Sequence, residues 1–174
     1  MIKAIIGLGN PGPRFTYTRH NIGFRILDRL ADRMHASWSS DKSFEKSEIH
    51  VANRNILLIK PQTFMNNSGD VIPYLQKKGI QTNEILVVHD ELEKDFNSIA
   101  IRESGSARGH NGLKSIISRC GPDFFRLRFG IGRPENREDV ADYVLEKFSE
   151  PETEVDALID KSVDIIINEI EKFE

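Results

Sequence analysis

Short apolar segments alternate along this chain with longer segments of helical periodicity, and this alternation limits the folds that the chain can adopt. Ile2–Leu8 is apolar and ends at a glycine, and Glu84–His89 contains four consecutive apolar residues. Runs of this kind are typical of strands buried on both faces. Asn21–Met34 instead places its apolar residues at helical spacing, with Asn21 as the cap. The pattern predicts the α/β class: a single three-layer α/β/α domain, residues 1–174, around a central mixed, mostly parallel sheet.

The remaining elements follow from periodicity and turn residues. A hairpin is predicted where Asn53-Arg54-Asn55 separates Glu48–Val51 from Ile56–Ile59. Further strands are predicted over 98–102 and 125–131. Helices are predicted from Asn67 or Ser68 to Lys78, over 111–119, over 139–148, and over 152–173.

The composition is that of a globular protein and excludes several kinds of site. Apolar residues make up 39% of the 174 residues and charged residues 29%, which is enough apolar material for one ordinary domain. Cys120 is the single cysteine, so no internal disulfide or cysteine-based zinc site can form, and we expect it to pack as a small core residue. The apolar run at the N-terminus is too short for a signal-peptide core, and no run reaches the length of a membrane span. We therefore expect a cytoplasmic protein that makes no contact with a membrane.

The charge is unevenly distributed along the chain. The net charge is −3, but residues 151–174 hold eight acidic side chains against two basic ones. Residues 102–137 hold eight basic side chains against three acidic ones. Binding of phosphate responds to local potential, so the basic middle segment is a candidate surface for a nucleic acid. A solvated basic surface without a ligand is the alternative.

The segment Gly7-Leu8-Gly9-Asn10-Pro11-Gly12 matches G-x-G-x-x-G directly after a predicted strand. A dinucleotide-dependent oxidoreductase is therefore one alternative. In such a fold the helix begins within the glycine turn, so that its backbone N–H groups meet the pyrophosphate. Here Pro11 and Pro13 remove two of those donors, and the helical pattern begins only near Asn21. The local sequence therefore disfavours a dinucleotide site.

Amide and ionisable side chains follow several predicted strands or precede predicted helices. Ligands of open α/β sheets bind beyond the carboxyl ends of the strands, so these positions form a candidate site. Each also has a structural interpretation, because Asn is common in turns and His or Asp beside a helix start can cap it. The segments are Asn10, His20-Asn21, Met65-Asn66, His89-Asp90-Glu91 and Gly109-His110-Asn111-Gly112.

Six motifs contain these positions and occur in a fixed order. They are Gly7-Leu8-Gly9-Asn10-Pro11-Gly12, Phe15-x-x-Thr18-Arg19-His20-Asn21-x-Gly23, Pro61-Gln62-Thr63-Phe64-Met65-Asn66-x-Ser68-Gly69, His89-Asp90-Glu91-Leu92, Gly109-His110-Asn111-Gly112-Leu113-Lys114 and Phe125-Arg126-Leu127-Arg128-x-Gly130-Ile131-Gly132. From Ile2 to about Phe148 the chain resembles the bacterial-type peptidyl-tRNA hydrolase family. The resemblance implies a monomer that hydrolyses the ester joining a peptide to tRNA and recycles tRNA from stalled translation. It also implies that the enzyme uses no metal and no organic cofactor.

The resemblance assigns the chemistry to a few positions. It makes His20 the general base that takes a proton from water, and Asp90 the carboxylate that orients its imidazole. It makes Asn10 a third catalytic-site residue, which recognises the first peptide carbonyl. Asn66 and Asn111 hold the peptide or ester portion and the attacking water. Histidine suits the role of base because its ordinary pKa lies near neutrality.

The resemblance also implies the substrate contacts, which are less complete. Phe64, Met65 and His110 line the cleft, although Phe64 and Met65 are equally typical of core packing. Phe15 keeps the ring of the family's usual tyrosine but lacks its hydroxyl group. Arg128 matches a position that grips a tRNA phosphate.

The second cation of that phosphate grip falls near Ala100, which carries no charge, so Arg102 or Arg108 is the substitute. A non-catalytic RNA-binding relative is the remaining alternative, because a fold alone does not fix a function.

Overall fold

A seven-stranded mixed sheet forms the centre of the computed structural model, which describes residues 1–173. The strands are β1 (Ala4–Gly7), β2 (Ser39–Ser40), β3 (Phe44–Val51), β4 (Arg54–Pro61), β5 (Ile85–Glu91), β6 (Ile99–Glu103) and β7 (Phe125–Gly130). Their order across the sheet is β2-β3-β4-β1-β5-β7-β6. The four strands β4, β1, β5 and β7 run parallel, and antiparallel strands complete both sides.

Helices cover both faces of the sheet. They are α1 (Ile22–Arg33), α2 (Ile72–Lys77), α3 (Asn111–Cys120), α4 (Val140–Val144) and α5 (Glu152–Glu171). Helices α1 and α5 pack on one face around one apolar core, and α2 and α3 pack on the other face around a second core. The predicted three-layer α/β/α domain with a mixed, mostly parallel sheet is therefore confirmed. None of the helices within residues 1–173 combines the length and apolar character that a bilayer crossing needs.

The predicted hairpin is confirmed, but its strands are longer than predicted. Ala52 and Asn53 adopt positive φ angles and form the turn alone. Arg54 and Asn55, which the sequence assigned to the loop, pair with Val51 and His50 inside the ladder. Two residues in this conformation suit a tight two-residue hairpin.

Two predicted helices are shorter than expected. The segment after Phe64 begins as a 3-10 turn, Met65–Val71, and α2 starts only at Ile72, so neither Asn67 nor Ser68 caps it. The Ser68 hydroxyl donates instead to the carbonyl oxygen of Met65.

The predicted helix over 139–148 is also wrong beyond Val144. The chain there turns back, so that the backbone N–H of Arg19 donates to the carbonyl of Glu146 and Thr18 bridges to Lys147. These tertiary bonds override the local helical pattern.

The acidic C-terminal helix α5 lies against a row of arginines on α1. Arg25, Arg29 and Arg33 recur every four residues and so share one side of α1. The acids of α5 that meet them are Glu152, Asp156, Asp160 and Asp164. Four of the eight acidic side chains of the tail are therefore paired within the chain, at the surface of the α1–α5 layer.

Candidate active site

Three segments far apart in sequence meet at the carboxyl end of β5. Asp90 accepts a hydrogen bond on each carboxylate oxygen: His20 Nδ1 lies 2.8 Å from Oδ2, and His110 Nε2 lies 2.9 Å from Oδ1. The Asp90 side chain is 1% exposed and that of His20 is 12% exposed. The site is thus a buried carboxylate beneath an imidazole that solvent can still reach.

The close approach of α1 to the sheet depends on Gly23. A Cβ atom at this position would overlap the carbonyl oxygen of Val88 and the backbone of Leu8. Only a residue without a side chain lets the start of α1 reach the ends of β1 and β5. The 3-10 turn Arg19–Asn21, which carries His20, is thereby held above Asp90.

The charges in this pair reinforce each other. Burial would raise the pKa of Asp90, but His20 and His110 hold that pKa well below its usual range. Burial lowers the pKa of His20, but the charge of Asp90 and the hydrogen bond to it outweigh burial and raise the pKa above its usual value. Asp90 is therefore ionised at neutral pH and supports a proton on His20.

His110 has two contacts, one on each ring nitrogen. Its Nδ1 accepts from the backbone N–H groups of Gly112 and Leu113, 3.1 and 3.3 Å away, and so caps α3. Both partners are donors, so the ring hydrogen must lie on Nε2, which donates to Asp90. The cap that the sequence offered as one interpretation is therefore present, together with a contact between His110 and Asp90.

His20, Asp90 and His110 also form the one group within the described chain whose atoms could surround a metal ion. A metal would need the Nε2 lone pair of His110, and the ring hydrogen would then move to Nδ1. That nitrogen would lose both backbone bonds at the start of α3. The three side chains therefore suit two imidazole N–H groups that donate to one carboxylate better than they suit a bound metal ion.

Asn10 is held by three hydrogen bonds. Its backbone N–H donates to Asn21 Oδ1, and its carbonyl accepts from Asn21 Nδ2, each at 2.9 Å. Its own Oδ1 accepts from the backbone N–H of Met65 at 2.8 Å. Asn21 directly precedes α1, as predicted, but its side chain makes no capping hydrogen bond and instead holds the backbone of Asn10. The geometry leaves the Nδ2 group of Asn10 to donate elsewhere.

The other predicted contact residues lie in, or pack against, the segments that carry Met65 and His110. Asn66 and Asn111 are exposed, one in the 3-10 turn after β4 and the other as the first residue of α3. Phe64 is 55% exposed, has a positive φ of 63° and meets Phe15 edge to face at 6.3 Å. Met65 is buried in the second core, where its backbone rather than its side chain holds Asn10.

Arg128 lies one strand away from Asp90 and is already paired. Its Nε donates to Glu91 at 2.8 Å, and this contact lowers the pKa of Glu91 although burial opposes it. Arg128 borders a small basic pocket that three further arginines line: Arg102, Arg108 and Arg126. Ala100 pairs with Arg128 across the β6–β7 ladder and adds no charge there.

Two further residues beside the site had no individual role in the sequence analysis. Arg126 is buried and donates to the carbonyls of Ser106, before α3, and Pro122, after it, so it connects the segments on either side of this helix. His89 is fully buried, and its Nδ1 donates to the carbonyl of Asp90 at 2.8 Å. Burial and the neighbouring His110 lower the pKa of His89 to about 4, so it is neutral at physiological pH. The β5 pattern alone would predict only a buried strand residue.

Comparisons with known proteins identify the family of this chain. The model of the peptidyl-tRNA hydrolase family matches residues 4–173, which includes the acidic helix. A peptidyl-tRNA hydrolase of Fervidobacterium nodosum is 47% identical over 96% of this chain and 86% of its own length. One from a Hydrogenobaculum species is 41% identical over 99% of this chain and 93% of its own.

Solved structures give the same result. The crystal structure of peptidyl-tRNA hydrolase from Acinetobacter baumannii superposes with a TM-score of 0.88 at 36% identity, over 98% of this chain and 87% of that one. A purine nucleoside phosphorylase of Toxoplasma gondii, with a TM-score of 0.59 at 7% identity over 95% of this chain and 88% of its own, shares the fold alone. This chain belongs to the peptidyl-tRNA hydrolase family, the ester hydrolases that act on peptidyl-tRNA.

Proposed function

We propose that His20, supported by Asp90, activates the water that cleaves peptidyl-tRNA. The 2.8 Å contact between His20 Nδ1 and Asp90 Oδ2 is the observation that carries this proposal. A carboxylate accepts only, so Nδ1 bears the hydrogen and the Nε2 lone pair is free to accept a proton. Water attacks the ester carbonyl carbon while Nε2 takes its proton. The bond from that carbon to the ribose oxygen then breaks, and Nε2 passes its proton to this oxygen, which leaves as a hydroxyl group.

The carboxamides supply donors that do not titrate. The developing oxyanion needs hydrogen-bond donors already in place, and an amide NH₂ group stays neutral at every physiological pH. We assign Asn66 and Asn111 to the water and the ester portion, and the Nδ2 group of Asn10 to the first peptide carbonyl. The three bonds that hold Asn10 support this assignment, because they fix which end of its amide can face a substrate.

The basic pocket is the proposed contact for the tRNA backbone. Phosphate contacts from Arg and Lys supply much of the affinity for a nucleic acid. Arg128 borders this pocket, and the exposed Arg102 and Arg108 offer the second cation that Ala100 lacks. The aromatic pair Phe15 and Phe64 offers a stacking surface for bases.

The enzyme is proposed to act as a monomer in the cytoplasm, through the single domain of residues 1–174. Every proposed site residue comes from one chain, so catalysis needs no second copy. The substrate class fits a compartment where translation occurs.

The test is release of tRNA from an N-acetylated aminoacyl-tRNA, with the unblocked form beside it and with a chelator in a parallel reaction. His20→Ala should lose nearly all turnover, because the base is missing, and should still bind tRNA. His50→Ala, which removes an exposed histidine from β3, is the matched control and should behave as the parent. Near-normal turnover by His20→Ala would remove His20 from its role, and binding without turnover by the parent would favour the non-catalytic alternative.

A further inference from the structure

His110 connects the start of α3 to the carboxylate of Asp90 in β5. Its Nδ1 accepts from the first backbone N–H groups of α3, and its Nε2 donates to Asp90. Backbone N–H groups never accept a hydrogen bond, so the helix start fixes where the ring hydrogen lies. The start of α3 therefore determines that Nε2 of His110 carries the hydrogen and donates to Asp90.

We propose that His110 is a positioning residue that sets the basicity of His20 through their shared carboxylate. Asp90 has two oxygens, and each is used by one imidazole. A donor on Oδ1 withdraws part of the negative charge that would otherwise act on the His20 ring. His20 is thereby kept from holding its proton too strongly, so that a larger share of it is the free base near neutral pH than without this donor.

The surroundings of His20 leave few other groups that could take this role. Asp90 of β5 is the charged side chain in contact with the ring, and His110 lies beside it with ring centres 5.0 Å apart. His89 packs on His110 at 5.3 Å, but its hydrogen is bonded to a backbone carbonyl. From the α1 and α4 side, Arg19 points away and donates to the Tyr143 carbonyl. Glu91 is paired with Arg128.

Two substitutions of His110 test the contacts of its two ring nitrogens separately. Asn has its amide oxygen near the position of Nδ1 and is a good helix cap, but it is too short to reach Asp90. Gln has its amide nitrogen near the position of Nε2 and can donate to Asp90, but it leaves the start of α3 without an acceptor. His110→Asn therefore removes the contact with Asp90, and His110→Gln removes the cap.

The inference rests on the proposed role of His20, so its test has two readouts. The first is the pH profile of kcat/KM, whose acid limb reports the base of the free enzyme. The second is an NMR titration of the His20 ring, which needs no turnover and follows the coupling even in an inactive variant. A failure of His20 as the base would alter the first readout and leave the second intact.

His110→Asn should move the acid limb and the His20 titration to higher pH by about half a unit or more, and its Tm should also fall because the buried Asp90 carboxylate loses a donor. His110→Gln should leave both near the parent values, while its Tm falls by about 2–4 °C. An unchanged His20 titration in His110→Asn would overturn the proposal. The proposal would also be overturned if the His20 titration moved equally in both variants, in proportion to their loss of Tm. The effect of His110 would then be purely structural.

Discussion

The orientation of single polar side chains decides what this site can do, and Asn10 is the clearest case. Its amide oxygen is used by the backbone of Met65, so only its NH₂ group can face a peptide carbonyl. Asn10→Asp replaces this donor with an acceptor at nearly the same size. We expect kcat/KM for the N-blocked substrate to fall about 10–100-fold, because an acceptor would face the peptide oxygen. Asn55→Asp, in the exposed hairpin, is the control and should leave kcat/KM unchanged; an equal loss in both would remove Asn10 from substrate recognition.

Arg128 illustrates a residue whose charge is shared between the fold and the proposed substrate. Its pairing with Glu91 fixes the guanidinium at the edge of the basic pocket. Arg128→Ala should raise KM about tenfold, reduce the salt slope of tRNA binding by about 1, and change kcat much less. The comparison is Arg119→Ala, whose arginine pairs with Asp70 on the outside of α3. An unchanged salt slope in Arg128→Ala would mean that this arginine does not meet phosphate.

Residue identities were predictable from the motifs, but their bonds were not. The motifs pointed to His20, Asp90 and Asn10, and these lie at one end of β5 and β1 as expected. The contacts of Asn21 with Asn10 and the two-sided role of His110 depend on which atoms meet after folding. A sequence records a residue type at a position, but it does not record which nitrogen of an imidazole finds which partner.

At the scale of elements, the contact between α1 and α5 is an array of ion pairs. Arg29 lies at its centre, with Asp160 at 2.7 Å and Asp156 at 3.1 Å, and is a third exposed. The hydrogen bond from Arg29 to Asp160, with the charges of Asp160 and Asp156, raises the pKa of Arg29 above its ordinary value although burial opposes this. Arg29→Ala should lower the free energy of unfolding by about 1 kcal/mol at low salt, since the pairs are exposed and form a network.

The salt dependence distinguishes this array from simple packing. The loss caused by Arg29→Ala should shrink in about 1 M NaCl, where the Debye length is about 3 Å. Denaturant unfolding at both salt concentrations measures it, with Lys161→Ala on the exposed side of α5 as the control. A loss that is equal at both salt concentrations would show that apolar packing of the arginine stem, not charge, holds α5.

Strong periodicity predicted the elements well, and tertiary bonds account for the differences. The central strands and helices α1, α3 and α5 lie within a few residues of the predicted bounds, because each buries a full apolar face. Helix α4 ends at Val144 because the chain after it bonds to Thr18 and Arg19, which are remote in sequence. No local pattern reports a partner that distant.

At the scale of the whole molecule, the buried carboxylate links stability to pH. A carboxylate whose pKa is lower in the folded than in the unfolded chain stabilises the fold above its unfolded pKa, and that stabilisation is lost as pH falls toward the folded value. Asp90 and Glu91 both have lowered pKa values. The free energy of unfolding should therefore decrease as pH falls from 5 through the ordinary carboxylate range of about 4.

Asp90→Asn should make this decrease smaller, because one titrating group is gone. Denaturant unfolding at a series of pH values compares the variant with the parent. A decrease of the same size in both proteins would show that Asp90 adds nothing to the pH dependence and that other carboxylates cause it.

The same substitution gives the most direct test of the central claim, that Asp90 supports His20 as the base for water. The measurement is the pH profile of single-turnover hydrolysis of N-acetylated aminoacyl-tRNA by Asp90→Asn. We predict a rate lower by about 10²–10⁴-fold, retained tRNA binding, and an acid limb at lower pH, because the charge that raises the pKa of His20 is removed. A rate near that of the parent, with the acid limb in its original place, would contradict the account.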